Sequence, residues 1–110
     1  MDGMKTLSEL CSSMGVSRRA VQGYEKAGLV TASGKNKYGY LLYDEAAQGK
    51  VKQIKLFQQA GFKVREIKGL LEVPGDVLKP ILQQRIEYLK AEIRQKEEVI
   101  REVEELVARL

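Results

Sequence analysis

The stretch that decides the fold is residues 6–28, TLSELCSSMGVSRRAVQGYEKAG. Thr6 and Glu9 have the spacing of a capping box, which predicts that a short helix of about eight residues begins here. Gly15 suits the position just past the end of that helix, and Ser17 is a favoured N-cap for a second one. Two short helices joined by a tight turn that carries a glycine form a helix-turn-helix pattern.

The sequence after this pattern indicates a small β-hairpin. Residues 29–30 and 38–43 are rich in apolar and aromatic side chains and are predicted as its strands, with a polar, basic tip at residues 32–37. Two isolated strands are marginally stable in water, so the hairpin is expected to pack on the helices. Leu42 and at least one tyrosine of the second strand are therefore expected in the core.

Two further helices are predicted before a break in composition. Asp44 is a candidate N-cap for a third helix that ends near Ala60, and a fourth follows over residues 64–72. Residues 73–75, Val-Pro-Gly, are predicted as a linker. We therefore divide the chain into a winged helix-turn-helix domain, residues 1–75, and a dimerisation helix, residues 76–110.

The dimerisation helix has one apolar seam. Its members recur in alternating steps of four and three, the a/d pattern of a coiled coil, with one polar exception at Lys96. They are Leu82, Ile86, Leu89, Ile93, Lys96, Ile100, Val103, Val107 and Leu110. Pro80 is predicted in the first turn, since a proline deeper in a helix costs about 3 kcal/mol. The seam is expected to pair with the same helix of a second copy; the alternative is a helix folded back on its own N-terminal domain.

Composition excludes several classes of protein. The chain has 110 residues, no histidine and a single cysteine, Cys11. Histidine is the commonest general base and metal ligand, so neither an enzyme nor a metal or other cofactor site is expected. No apolar run approaches the roughly 18 residues of a membrane span, and no signal core follows the N-terminus. We therefore expect a cytoplasmic protein without a membrane partner.

The positive charge is concentrated in the N-terminal part. Residues 1–75 hold 12 Lys or Arg against 7 Asp or Glu, a net charge of +5. Residues 76–110 hold 7 against 8, a net charge of −1. The overall charge of +4 therefore comes from the predicted helix-turn-helix domain, which favours an anionic partner. The alternative is a basic surface that has no role beyond solubility.

The second helix of a helix-turn-helix enters the DNA major groove with its early residues toward the bases. Arg can bridge two acceptors on guanine and Gln can pair with adenine, so the residue types here are suitable. Side chains around the helix start can hold phosphates, and the hairpin tip can lie along the adjacent backbone as a wing. The candidate DNA-binding residues are Ser17, Arg18, Arg19, Gln22, Tyr24, Lys35, Asn36, Lys37, Tyr38, Tyr40 and Lys63.

Together these features resemble the MerR (mercuric-resistance) family of bacterial transcription regulators, in a short form. The resemblance covers about residues 7–72 and rests on several spaced motifs in the family's order. The motifs are GVSR (residues 15–18), YEKAGL (24–29), GY (39–40) with Tyr43, AGF (60–62) and IKGLL (67–71).

The resemblance implies a winged helix-turn-helix domain followed by a long dimerisation helix. It implies a homodimer with antiparallel long helices, whose two recognition helices bind a pseudo-palindromic promoter. Members typically bend and untwist the DNA between promoter elements so that RNA polymerase can engage both, at a deformation cost of several kcal/mol. The implied location is the bacterial cytoplasm, in association with the nucleoid.

The sequence departs from the family at two positions. The family usually has arginine two residues before the tyrosine of the YEKAGL motif and directly after the GY motif, where this chain has Gln22 and Leu41. Phosphate anchoring is then expected either to weaken or to shift to Arg18, Arg19, Lys35 and Lys37. The departures support an alternative function, a dimeric adaptor that binds a protein instead of specific DNA.

An effector is not indicated by the sequence. Metal-sensing relatives bind their ion through cysteines around and beyond the start of the dimerisation helix, and this chain has none there. Cys11 lies on the apolar stripe of the first helix and is expected in the core of the domain. Drug-binding relatives carry a further domain after the long helix, whereas this sequence ends inside it and is either a short regulator or part of a longer one.

Overall fold

The polypeptide forms helices and one small sheet in the part of the chain that the computed structural model describes, residues 3–110. Met1 and Asp2 of the predicted N-terminal domain lie outside the described residues. The elements are β1 (Lys5–Thr6), α1 (Leu7–Met14), α2 (Arg18–Lys26), β2 (Gly34–Lys35), β3 (Leu41–Tyr43), α3 (Glu45–Gln59), α4 (Val64–Glu72) and α5 (Gly75–Arg109). The chain divides into two units, here called the head (residues 3–72) and the stalk (Val73–Leu110). The predicted fold class, mainly helical with a winged helix-turn-helix and a long C-terminal helix, is confirmed.

Local side-chain caps begin the helices as the sequence predicts. The Thr6 Oγ1 accepts a hydrogen bond from the Glu9 N–H at 3.3 Å, and the Thr6 N–H donates to Glu9 Oε1 at 2.9 Å. Ser17 and Asp44 cap α2 and α3 by accepting from the N–H three residues on, at 3.0 and 2.8 Å. The bond from the Thr6 N–H lowers the pKa of Glu9, so the box weakens when falling pH protonates this carboxylate.

The three strands form an antiparallel sheet of order β1-β3-β2. Lys5 pairs with Tyr43 on one side of β3, and Gly34 pairs with Leu42 on the other. The sequence predicts the hairpin but not β1, because two residues are too few for an alternating pattern. Thr6 therefore both ends a strand and caps α1, which ties the start of the helix-turn-helix to the sheet.

The first strand of the hairpin is not where the sequence predicts it. Leu29 and Val30 are buried, at 3% and 4% exposed, but they lie outside the sheet. The Leu29 N–H donates to the Tyr24 carbonyl at 2.9 Å, and Gly28 has a left-handed φ of 78°. This helix end turns the chain inward, so the two residues are apolar because they fill the core and not because they form a strand.

The core of the head is apolar and draws on all four of its helices. One face of α3, formed by Ala47, Val51, Ile54 and Phe57, is buried, whereas Cys11 of α1, which is expected in the core from the sequence, is only half-buried. Tyr43 is the tyrosine of β3 that lies in the core, and Leu42 is half-buried. The core residues are Leu7, Leu10, Val21, Tyr24, Leu29, Val30, Tyr43, Ala47, Val51, Ile54, Phe57, Phe62, Ile67 and Leu70.

The stalk is one helix, α5, of 35 residues, about 50 Å long at 1.5 Å per residue. It begins at Gly75, so the predicted linker is one residue too long. Pro74 is the N-cap, and its carbonyl accepts from the Leu78 N–H at 2.9 Å. Because the helix begins this early, Pro80 lies in its second turn and not in the first, and the turn lacks the hydrogen bond that the Asp76 carbonyl would otherwise accept there.

The apolar seam of α5 is exposed to solvent in a single chain. No residue of this helix is buried, and Ile86, Ile93, Ile100 and Val107 are 47–63% exposed. Among residues 3–110, none of the helices has the length and apolar content needed to cross a membrane.

Candidate nucleic-acid interface

Helix α2 has one buried and one exposed face. Val21 and Tyr24 are 0% and 3% exposed and hold the helix on the core. Arg18, Arg19 and Gln22 lie on the opposite side, and all three are exposed. Gln22 lies four residues after Arg18 and three after Arg19, so it is a neighbour of both arginines on the helix surface. The structure thus brings together the three residues that the sequence assigns to base contacts.

Arg18 is oriented by a contact to the preceding helix. Its Nη2 donates to Ser8 Oγ of α1 at 3.1 Å, and both groups are exposed. A guanidinium has five N–H donors in a fixed fork, so this single bond leaves its other donors for a ligand. Ser17 is exposed at the start of α2, beside this group.

Tyr24, which the sequence assigns to the DNA interface, packs mainly in the core. Its ring is in the core, and its hydroxyl donates to Gln58 Oε1 of α3 at 2.5 Å. Burial raises the pKa of this phenol. The helical period places residue 24 on the same face as Val21, so the aromatic ring packs inward and positions α2 on α3.

Tyr43 joins the sheet to the recognition helix. Its side chain is 0% exposed, and its hydroxyl donates to Glu25 Oε1 of α2 at 2.7 Å. Burial, followed by the hydrogen bond and charge of Glu25, raises the pKa of Tyr43 far above its ordinary value of 10.0. Because β3 also pairs with β2, this bond links the wing to the helix that carries Arg18 and Arg19.

We expect Tyr43→Phe to lower the free energy of unfolding at neutral pH by about 1–2 kcal/mol, because the Glu25 carboxylate loses its donor. The raised pKa means that the tyrosine stabilises the fold fully below about pH 10 and less as the pH rises above it. The difference in unfolding free energy between wild type and Tyr43→Phe should therefore become smaller above pH 10. Urea denaturation at pH 8 and at about pH 10.5 measures it, with Tyr40→Phe, on an exposed ring, as the control. If this difference in unfolding free energy is the same at both pH values, the raised pKa of Tyr43 is contradicted.

The wing is a tight turn between β2 and β3. Asn36 Oδ1 accepts from the N–H groups of Tyr38 and Tyr40, at 2.9 and 3.0 Å. The Asn36 N–H donates to the Tyr40 carbonyl at 2.9 Å, and Gly39 has a left-handed φ of 84°. Lys35 and Lys37 flank the turn and are exposed. The wing thus presents two exposed ammonium groups, and the hydrogen bonds of one asparagine stabilise its turn.

The remaining candidate positions lie on separate elements. Lys63 is exposed directly before α4, and its N–H donates to Glu66 Oε1 at 2.8 Å. Leu41, where the family usually has arginine, is half-buried in β3. Among residues 3–110, no group of three or more His, Cys, Asp or Glu side chains could hold a metal ion.

The C-terminal half of the stalk carries exposed apolar residues that the a/d pattern does not include. Val99 and Leu106 are 50% and 48% exposed, seven residues apart, and each precedes a seam residue. They widen the seam in the C-terminal half of α5 by one position per heptad. A search for residues adjacent to the a positions would have found them in the sequence.

Comparison with known proteins matches the head and extends into the stalk. The family model described as "MerR HTH family regulatory protein" matches residues 5–73. The HTH-type transcriptional activator mta of Bacillus subtilis (strain 168) is 30% identical over 98 residues, which is 89% of this chain and 38% of that protein. The chain therefore spans less than half the length of this curated relative.

Solved structures share the fold. A MerR-family transcriptional regulator from Bacillus cereus superposes with a TM-score of 0.74 at 26% identity, covering 93% of this chain and 78% of that chain. HiNmlR, described as a MerR-family regulator lacking the sensor domain and bound to promoter DNA, superposes with a TM-score of 0.74 at 14% identity, covering 88% of this chain and 78% of that chain. At this identity, the second likeness concerns the fold alone.

Proposed function

The chain belongs to the MerR family of helix-turn-helix regulatory proteins, and on that premise we propose that it is a dimeric regulator that binds specific promoter DNA. The Bacillus subtilis relative is named as a transcriptional activator, and the Bacillus cereus structure as a transcriptional regulator. The observation that carries the proposal is the exposed patch of Arg18, Arg19 and Gln22, held toward solvent by the buried face of α2.

The patch is chemically suited to base edges in the major groove. Arginine can donate to the O6 and N7 atoms of guanine together, and glutamine can pair with the N6 and N7 atoms of adenine. Ser17, at the N-terminus of α2, adds a hydroxyl at the end of the helix that favours phosphate. These residues therefore supply the sequence-specific contacts of the proposed complex.

The wing and α4 supply backbone contacts in this proposal. From Lys26 to Tyr43 the chain has three lysines and no acidic residue. Lys35 and Lys37 on the wing, and Lys63 before α4, are exposed cations that can neutralise phosphates but cannot distinguish bases. Contacts of this kind position the recognition helix and offset the cost of deforming the DNA.

The exposed seam of α5 supports the dimer. A run of isoleucine and valine left half-exposed along a helix of 35 residues requires a partner helix, and a second copy supplies an identical seam. We propose that residues 76–110 form an antiparallel pair that carries two helix-turn-helix domains, residues 1–75. This dimer would bind a pseudo-palindromic promoter in the bacterial cytoplasm, bend and untwist it, and so position it for RNA polymerase.

A second candidate function is a dimeric adaptor that binds a protein. It is favoured by Leu56, which is 60% exposed on α3 and lines a groove with Met14 of α1. Lys52 and Lys55 border this groove, and the Lys55 Nζ donates to the Met14 carbonyl at 2.7 Å. Exposed apolar side chains of this kind are typical of protein contacts, but the basic patch on α2 and the wing has no role in such a function.

Selection of duplexes from a random-sequence DNA library by the purified chain tests the proposal. We expect enrichment of a motif with dyad symmetry, and a steep fall of log affinity with log salt concentration for the enriched duplex. Electrophoretic mobility of the bound duplex, with the motif placed at different positions, then measures bending. Equal and weak binding to every duplex would overturn specific regulation and favour the adaptor.

A further inference from the structure

Two rows of side chains border the apolar seam of α5, at the e and g positions of its heptads. In a coiled coil these positions lie beside the neighbouring helix, and their charges influence its orientation and register. The members of the e row directly follow the d residues and are Gln83, Lys90, Glu97 and Glu104. The members of the g row directly precede the a residues and are Arg85, Glu92, Val99 and Leu106.

The charged side chains in the middle of these rows are accessible to a second helix. Lys90, Glu92 and Glu97 are all exposed in a single chain. The Lys90 Nζ lies 3.8 Å from Glu87 Oε2, but the two side chains are 60% and 72% exposed, and an ion pair in such surroundings contributes little to stability. Lys90 can therefore exchange this contact for one across an interface at little cost.

A parallel pair of stalks would bring like charges together. In that arrangement each g residue faces the e residue five positions later in the second helix, so Arg85 would face Lys90 and Glu92 would face Glu97. Identical core positions also meet in a parallel pair, so Lys96 would face its own counterpart in the seam. Each of these contacts is repulsive, so the charge pattern disfavours parallel pairing.

An antiparallel pair avoids these contacts in one register. With the two-fold axis between residues 94 and 95, Ile93 packs against Lys96 of the second copy, and Lys90 faces Glu97 of the second copy. The two-fold symmetry forms each contact twice. Sliding one helix by a heptad would instead bring the two copies of Lys90 together, or, in the other direction, the two copies of Glu97.

We propose that the e row fixes this register, and that ion pairs between Lys90 and Glu97 select an antiparallel second copy with Leu82 opposite Val107. The inference rests on the proposed dimer and deepens it, because it names the side chains that decide which helix the seam accepts. An apolar seam alone can pair with many helices, so specificity requires contacts that penalise the wrong ones. A stalk without a carboxylate opposite Lys90 is disfavoured as a partner.

Reversal and rescue of the charges test the ion pair. Lys90→Glu should raise the dissociation constant of the dimer roughly ten-fold or more, because two attractive contacts become repulsive. Lys90→Glu combined with Glu97→Lys restores opposite charges in this register and should recover wild-type dimerisation, as measured by sedimentation equilibrium. Arg94→Glu is the matched control, since it makes the same change in charge at an exposed position outside both rows and should dimerise like wild type. A double variant as weak as Lys90→Glu would overturn the register.

Cross-linking of cysteine variants identifies the facing residues directly. In a Cys11→Ser background, Lys90→Cys and Glu97→Cys chains that carry different tags are mixed and treated with a short bis-maleimide. We expect a cross-linked species that carries both tags, and none when either variant is treated alone. A cross-link of either variant to itself would show a slid register, and one between Arg85→Cys and Lys90→Cys would show a parallel pair.

The failure of this inference can be distinguished from the failure of the proposed dimer. A slid register or a parallel pair overturns the inference, whereas the chain remains a dimer. A dimeric sample that gives none of these cross-links would place the interface outside the seam and would also overturn it. If wild type sediments as a single chain, both the proposed dimer and this inference are overturned.

Discussion

Replacing both Arg18 and Arg19 with glutamate is expected to abolish specific DNA binding and to leave the dimer and the fold of the head unchanged. Both side chains are exposed on the face of α2 opposite the core, so the substitutions create no cavity. An arginine contact to guanine contributes about 1–3 kcal/mol of discrimination, and a dimer loses each contact twice. The added carboxylates also repel phosphates. We expect affinity for the selected duplex to fall by a factor of about 1000 or more.

Arg94→Glu combined with Arg101→Glu is the matched control. Both arginines are exposed in the stalk and each directly follows a seam residue, so the pair makes the same change in net charge away from α2. It should retain most of the affinity, since neither arginine belongs to α2 or the wing, which carry the proposed DNA contacts. Fluorescence anisotropy measures affinity, and light scattering measures the dimer. If Arg18→Glu/Arg19→Glu retains its affinity, the assignment of α2 is wrong and another part of the head binds the DNA.

Aspartate at Ile93 or at Ile100 is expected to convert the dimer into monomers. These side chains are 59% and 55% exposed in a single chain, which is consistent with a surface that a second copy covers. In the proposed pair, an aspartate at either position would place a carboxylate in an apolar seam, at a cost of several kcal/mol for each chain. Sedimentation equilibrium at micromolar concentration should give the mass of one chain, 12.4 kDa.

Gln95→Asp controls for the introduced charge. Gln95 is exposed and lies two residues after Ile93, outside the seam, so this variant should remain a dimer. The near-ultraviolet circular dichroism of the head tyrosines reports whether the head of each variant is folded. An unchanged dimer mass for both seam variants would show that the heptad assignment is wrong. Monomers with an intact head should also lose affinity for the dyad motif, because they engage one half-site at a time.

The helix starts could be predicted from the sequence because caps are local. Thr6, Ser17 and Asp44 each accept from an N–H three residues on, so the residues needed to recognise them are adjacent in the chain. The exposed patch on α2 follows from the helical period in the same way. Short stretches of sequence therefore largely determine which side chains are neighbours on one helix.

The features that the sequence did not predict depend on contacts between distant parts of the chain. Residues 29–30 have strand composition, but their apolar side chains fill the core next to the end of α2. Tyr24 is amphipathic, and the acceptor of its hydroxyl, Gln58, lies 34 residues later in the chain. Strand β1 exists because β3 offers it a partner. A tyrosine carries both an apolar ring and a polar hydroxyl, so tertiary packing decides whether it faces the core or the solvent.

The two-faced character of α2 also bears on how such a protein diversifies. Val21 and Tyr24 are buried and hold the helix on the core, while Arg18, Arg19 and Gln22 are exposed. A surface substitution of this kind usually changes stability by less than about 0.5 kcal/mol. Mutations at residues 18, 19 and 22 can therefore accumulate without a compensating change in the core. The residues proposed to contact bases can thus change while the fold of the head is kept.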